Sequence, residues 1–170
     1  MPPAGFAEPR WYAAYTCSRH EKHVAMQLGQ KQIEHFLPLY LETHRWKDRR
    51  KAVQVALFPG YVFVRSSLEN RLPILTVNGI VRLVGFGGRP APLADEDIDS
   101  LRRGTTAGVR IEPHPYLTAG RRVRIVRGPL AGTTGILQRR KEGLRVIVSI
   151  DMIMRSVAAE VDEDDIAVEC

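Results

Sequence analysis

The chain has only two cysteines, Cys17 and Cys170, at opposite ends of its 170 residues. That excludes a disulfide scaffold; one long-range bridge stays open, and a reducing compartment is the expectation. No apolar run approaches the roughly eighteen residues a membrane helix needs. The stretch 57–64 is interrupted by Pro59 and Gly60, so no membrane contact is expected. Residues 1–9 lack a basic segment followed by an apolar one, so no secretory signal is expected and the cytoplasm is the expected location. Tandem repeats and low-complexity tracts are missing too.

Catalytic patterns are equally scarce. His20 and His23 lie three apart on a helical stretch, whereas a zinc helix of the H-E-x-x-H type needs a spacing of four and a third ligand. The glycine-rich run 128–135 lacks the Lys-Ser/Thr of a phosphate loop and sits between strand-like runs. Cys17 has no nucleophile signature around it and reads as a partly buried structural thiol. No enzyme, no metal and no cofactor is expected.

What is present is charge with an uneven distribution. The formal net charge is +6, but all 25 Lys and Arg precede residue 160, while 160–170 hold six acids and no base. A strongly basic body carrying an acidic end suits a polyanionic neighbour. The densest basic run is 45–51, where Arg45, Lys47, Arg49, Arg50 and Lys51 surround Trp46. Flanked by extended segments, it predicts the tip of a long hairpin that holds phosphates and stacks a base or a sugar.

The periodicities give an α+β class. Residues 11–15 (WYAAY) predict a first strand, and 19–32 an amphipathic helix with Val24, Ala25 and Leu28 on one side and Ser18 as N-cap. Strands follow at 33–40, 53–57, 58–64 and 80–84. A short helix is expected from Asn70 to Val77, and another from Asp95 that Gly104 stops. Residues 105–116, with Gly108, Pro113 and Pro115, read as a linker. Five short β-rich runs then fill 122–168, rich enough in Val, Ile and Thr to predict a small antiparallel barrel. The expected domains are 9–104 and 117–170. Tyr61 and Phe63 share a strand face; if their strand pairs with the first, Tyr15 joins them in an exposed aromatic groove suited to a partner helix.

The segment Leu57-Phe-Pro-Gly-Tyr-Val-Phe-Val-Arg65, the opening 11–15, the stretch 79–86 with Pro90-Ala-Pro-Leu93, and the run 123–135 together resemble the NusG family of transcription elongation factors, the last being similar to a KOW motif. The stretch 58–64 together with 84–93 resembles the operon-specific antitermination members, of the RfaH-like and polysaccharide-operon types, more than the general factor. The resemblance implies an N-terminal α+β domain and a five-stranded SH3-like barrel. It also implies a non-enzymatic monomer that binds the clamp helices of RNA polymerase and suppresses pausing. Carried over by motif, Tyr15, Phe58, Tyr61 and Phe63 meet the polymerase. Arg19 and the 45–51 tip approach upstream or non-template DNA. Gly128, Gly132 and Gly135 serve tight turns and close approaches in a barrel that recruits Rho or a small-subunit ribosomal protein. The alternative is an RNA-binding structural protein of the ribosome, since KOW barrels occur there as well.

Overall fold

A computed structural model describes residues 5–169, so Cys170 and the bridge it would make lie outside the described residues. Along the chain come β1 (Arg10–Thr16), α1 (Glu21–Gln30), β2 (His35–Phe36), β3 (Leu39–Trp46), β4 (Arg49–Ala56), β5 (Tyr61–Ser66), α2 (Leu72–Leu75), β6 (Ile80–Leu83), β7 (Gly85–Phe86), β8 (Arg89–Pro90) and α3 (Asp95–Thr106). Then follow β9 (Ile111–His114), β10 (Arg122–Ile125), β11 (Thr134–Arg140), β12 (Gly143–Ile150), β13 (Arg155–Val161) and β14 (Ile166–Val168). Contacts gather these into two compact units. One holds the residues up to Leu37, Phe58–Asp99 and Asp151–Ile153; the other holds Pro38–Leu57, Ser100–Ile150 and the residues from Met154 on.

The first unit is built on an antiparallel sheet in the order β2-β5-β1-β6. Trp11, Tyr12, Ala13 and Ala14 are all buried, so β1 is covered on both faces and reads as a continuous apolar run rather than an alternation. One face carries Tyr12, Ala14, Val62 and Val64 against Val24 and Leu28 of α1 and Ile74 of α2. The i, i+4 pair Val24 and Leu28 is the apolar stripe expected of α1. The helix starts later than expected, at Glu21, with His20 and not Ser18 at the N-cap. Arg19 has φ 63, a left-handed conformation no helical turn can contain. Cys17 is an exposed free thiol, which corrects the expectation of a partly buried one.

The second unit holds a six-stranded antiparallel sheet in the order β14-β10-β11-β12-β13-β9, and the two-stranded ribbon β3–β4. All five expected C-terminal strands form. The sixth, β9, arises inside 105–116, the segment read as a linker, and pairs with β13. Pro113 argued against a strand there, but β9 is an edge, where a missing N–H can face outward. Ile136, Ile147 and Ala158 lie side by side across β11, β12 and β13 and form a buried cluster under Leu117.

Gly104 does not stop α3. The helix runs through it to Thr106 and turns at Gly108, whose φ is 75. A Cβ on Gly104 would lie 2.7 Å from Leu130 Cδ2 and 3.0 Å from Ile111 Cδ1, so this glycine serves a close packing approach and not a helix end.

Candidate functional site: paired tyrosines, a basic ribbon and a glycine loop

Tyr15 near the end of β1 stands opposite Tyr61 at the start of β5. Their rings lie 5.5 Å apart, tilted at 52°. On the other side of Tyr15, β6 places Arg82 directly opposite, with its guanidinium 5.6 Å from the ring centroid. The phenol is therefore flanked by an aromatic and a cation within the sheet, and it remains 38% exposed.

Phe63 shares that face two residues on, but it is fully buried, and Phe58 is 2% exposed. Phe58 meets Phe63 edge-on at 5.5 Å, and Phe36 of β2 stacks on it at 6.3 Å. The expectation that Phe63 joins Tyr15 and Tyr61 in an exposed groove is corrected here: Phe63 is interior, as is Phe58, and Tyr15 with half-buried Tyr61 forms the part that reaches solvent. The cause is the turn at Pro59 and Gly60, closed by the Tyr61 N–H on the Phe58 carbonyl at 3.1 Å, which folds Phe58 back onto Phe63.

Both backbone groups of Gly60 are tied. Its N–H donates to Glu21 Oε1 at 2.8 Å, and its carbonyl accepts from the Thr16 N–H at 2.8 Å. Its φ is 88, and a Cβ would come within 3.5 Å of the Tyr15 ring. Glu21, 9% exposed, is the residue that sequence reading missed. Its position in the first turn of α1, where an acid is ordinary, gave no signal of a bond to a turn 39 residues away.

The ribbon β3–β4 has a two-residue turn at Lys47 and Asp48, with Lys47 at φ 43. Arg45 faces Arg50, and Trp46 faces Arg49. Trp46 is 73% exposed. Directly opposed like charges destabilise a ribbon, so the fold gains nothing from Arg45 and Arg50 side by side. Asp48 is the single acid between Arg45 and Lys51. Nearer the base, the Tyr40 hydroxyl donates to Glu42 at 3.1 Å. Burial, then that hydrogen bond and the charges of Glu42 and Glu112, hold its phenol above the ordinary value. Arg19, exposed after β1, completes the set of cations expected at nucleic acid.

The expected glycines of the 128–135 run divide into two roles. Gly128 and Gly132 have φ of 84 and 92 with open space where a Cβ would go, so they serve turns. Gly135 lies in β11, and a Cβ there would run into the Ile147 carbonyl of β12, so it serves a close approach. Arg103 of α3, another residue the sequence did not flag, donates to the Pro129 carbonyl at 3.0 Å and the Ala131 carbonyl at 3.4 Å and holds the loop from its side. Among the described residues no group of three or more His, Cys, Asp or Glu side chains could hold a metal ion. None of their helices is long and apolar enough to cross a membrane.

These features define a mixed α+β protein of two units, with an antiparallel sheet in each. Residues 9–102 match the family model described as "Transcription termination factor nusG", more than half of the chain, and the chain belongs to the NusG family. It is 29% identical over 168 residues to the transcription termination/antitermination protein NusG of Pseudomonas aeruginosa, covering 90% of this chain and 94% of that one. Against the protein of the same name from Staphylococcus aureus the identity is 28% over 178 residues, covering 92% and 94%. A solved structure described as "Domain interaction in Thermotoga maritima NusG" shares the fold with a TM-score of 0.62, at 21% identity, over 96% of this chain and 99% of that one.

Proposed function

We propose that the chain is a transcription termination/antitermination factor that docks on RNA polymerase through the Tyr15–Tyr61 end of its first sheet. The observation that carries this reading is the pinned pair itself. Two tyrosines are held by paired strands, a tied glycine and an arginine, and they present an amphipathic surface at small entropic cost. Phe58 and Phe63 act from beneath as the support that fixes the tyrosines. The clamp helices are the partner surface the family resemblance names, and suppression of pausing is the consequence of holding them.

In this reading residues 9–104 and 117–170 are the working modules, and 105–116 connects them while lending β9 to the sheet of the second. Arg19 and the 45–51 tip contact upstream or non-template DNA, where Trp46 beside Arg49 suits a stacked base and its phosphate. The C-terminal module recruits Rho or a small-subunit ribosomal protein, and the factor acts as a monomer in the cytoplasm. The resemblance to operon-specific members rests on 58–64 with 84–93, while the Pseudomonas aeruginosa and Staphylococcus aureus relatives carry the general name, which favours the general factor.

The test is retention on purified core RNA polymerase, with pausing measured on a template carrying a strong pause. The wild-type chain is retained and shortens the pause, and the Tyr15→Ala/Tyr61→Ala double variant does neither while remaining cooperatively folded at the assay temperature. An Arg45→Gln/Lys47→Gln/Arg49→Gln/Arg50→Gln variant keeps polymerase binding and loses crosslinking to DNA. A wild-type chain that sediments with ribosomes and ignores the polymerase sinks the proposal in favour of a ribosomal role.

A further inference from the structure

Three arginines from separate stretches of the first unit line one cavity of about 460 Å³. Arg10 begins β1, Arg71 immediately precedes α2, and Arg89 lies on β8 beyond the two-glycine turn at Gly87 and Gly88. Converging like charges is unfavourable unless something answers them. Arg10 has Glu8 at 3.0 Å. Arg71 donates to the Leu68 carbonyl at 2.6 Å and lies 5.6 Å from the Phe6 ring centroid, with no carboxylate partner among the described residues. The Arg89 guanidinium makes no hydrogen bond or ion pair among them, while its backbone pairs β8 with β7. The rest of the wall is apolar and partly flat, from Phe6, Leu68 and Pro90.

Tyr12 supplies a second, independent observation. It is 2% exposed, it lines this cavity, and its hydroxyl has no hydrogen-bond partner among the described residues. The hydroxyl is not among the enclosed unpaired polar atoms of the described residues, so it opens onto the cavity and water reaches it there. Its ionisation is pushed up by burial and opposed by the charge of Arg10.

We propose that this cavity binds one nucleotide unit, with the phosphate held by Arg71 and Arg89 and the base laid against Phe6 and Pro90. Guanidinium forks match phosphate oxygens in pairs, and the Tyr12 hydroxyl is free to donate to the sugar or phosphate. The volume is that of a small-molecule site. A bounded pocket lined on one side by a short hairpin suits a single unit better than an extended acidic peptide, which needs a groove or a strand edge. This site stands apart from the polymerase reading: its residues are neither the tyrosine pair nor the basic tip.

The experiment is calorimetric titration of the full chain with four probes, inorganic phosphate, guanosine 5′-monophosphate, uridine 5′-monophosphate and a ten-nucleotide single-stranded DNA, and with an Asp/Phe hexapeptide as competitor. At least one nucleotide probe binds more tightly than phosphate. Arg71→Gln and Arg89→Gln each weaken that binding by about tenfold, the loss of one charge-assisted contact. Arg89→Lys, at an exposed hairpin position where folding is not at risk, restores part of it. Arg49→Gln/Arg50→Gln leaves mononucleotide binding unchanged, so a failed polymerase reading and a failed pocket are told apart. Saturation by a free mononucleotide names a soluble ligand as the source, and binding of the oligonucleotide alone names a strand; both support the site. No binding by any probe, binding indifferent to Arg71 and Arg89, or tighter displacement by an Asp/Phe hexapeptide overturns it.

Discussion

The amide of Gly60 donates to the carboxylate of Glu21 at 2.8 Å, across 39 residues of sequence. That bond joins the turn that launches β5 to the first turn of α1, and so fixes where Tyr61 begins relative to Tyr15. Glu21→Ala leaves a half-buried N–H without its acceptor. It should cost about 1–3 kcal/mol in urea unfolding. Glu21→Gln, which keeps an oxygen in place, should cost less. Equal midpoints for Glu21→Ala and the wild type would show that water replaces the carboxylate.

The aromatic face separates stability from binding. Phe63 is fully enclosed between Phe58 and Phe36, so Phe63→Ala should lose about 3–5 kcal/mol. Tyr15→Ala should lose no more than about 1 kcal/mol, because its ring stands at the exposed end of the row. Polymerase retention should follow the opposite order once the Phe63 variant is assayed at a temperature where it is folded. A Tyr15→Ala protein that melts like the Phe63→Ala protein contradicts this division.

Glycine positions in the second unit should respond by geometry and not by secondary-structure type. Gly135→Ala drives a methyl into the Ile147 carbonyl on the paired strand, a backbone atom that cannot step aside. We expect a loss of about 1–3 kcal/mol from overpacking. Gly104→Ala should also destabilise, against the gain that alanine brings to a helix interior, because Leu130 and Ile111 occupy the space. Thermal melts of both variants decide it; a more stable Gly104→Ala protein refutes the packing role.

Alkaline pH should weaken the fold through Tyr40. Its folded ionisation lies above that of the unfolded chain, where a phenol titrates near about pH 10. A raised value means the contribution is fully present below the unfolded value and is lost as pH rises through the folded one. Urea midpoints taken from neutral to strongly alkaline pH should fall, and Tyr40→Phe should fall less over the upper part of that range. Parallel curves for the two proteins would remove Tyr40 from the account.

Much of this fold was legible because it depends on near neighbours in sequence. Residues 11–15, Val24 with Leu28, and the five β-rich runs of 122–168 announce their elements by period and residue type, and the motif order announces the family. Gly104 shows where such reading stops. A glycine late in a helix looks like a terminator, and only the position of Leu130 reveals a packing contact. β9 was hidden in the same way, since Pro113 is compatible with a strand at an edge and nothing local says which strands will be edges.

The sequence by itself determined which residues are aromatic, which are basic, and that Tyr15, Tyr61 and Phe63 can share a face, because a strand alternates by simple geometry. Tertiary structure decided which of them face water. The Pro59–Gly60 turn brings Phe58 over Phe63, and Glu21 locks that turn in place, so two aromatics become support and two tyrosines remain at the surface. It also drew Arg10, Arg71 and Arg89, far apart in the chain, around one cavity. Burial and convergence depend on which distant segments meet, and that is a property of packing that no local pattern encodes.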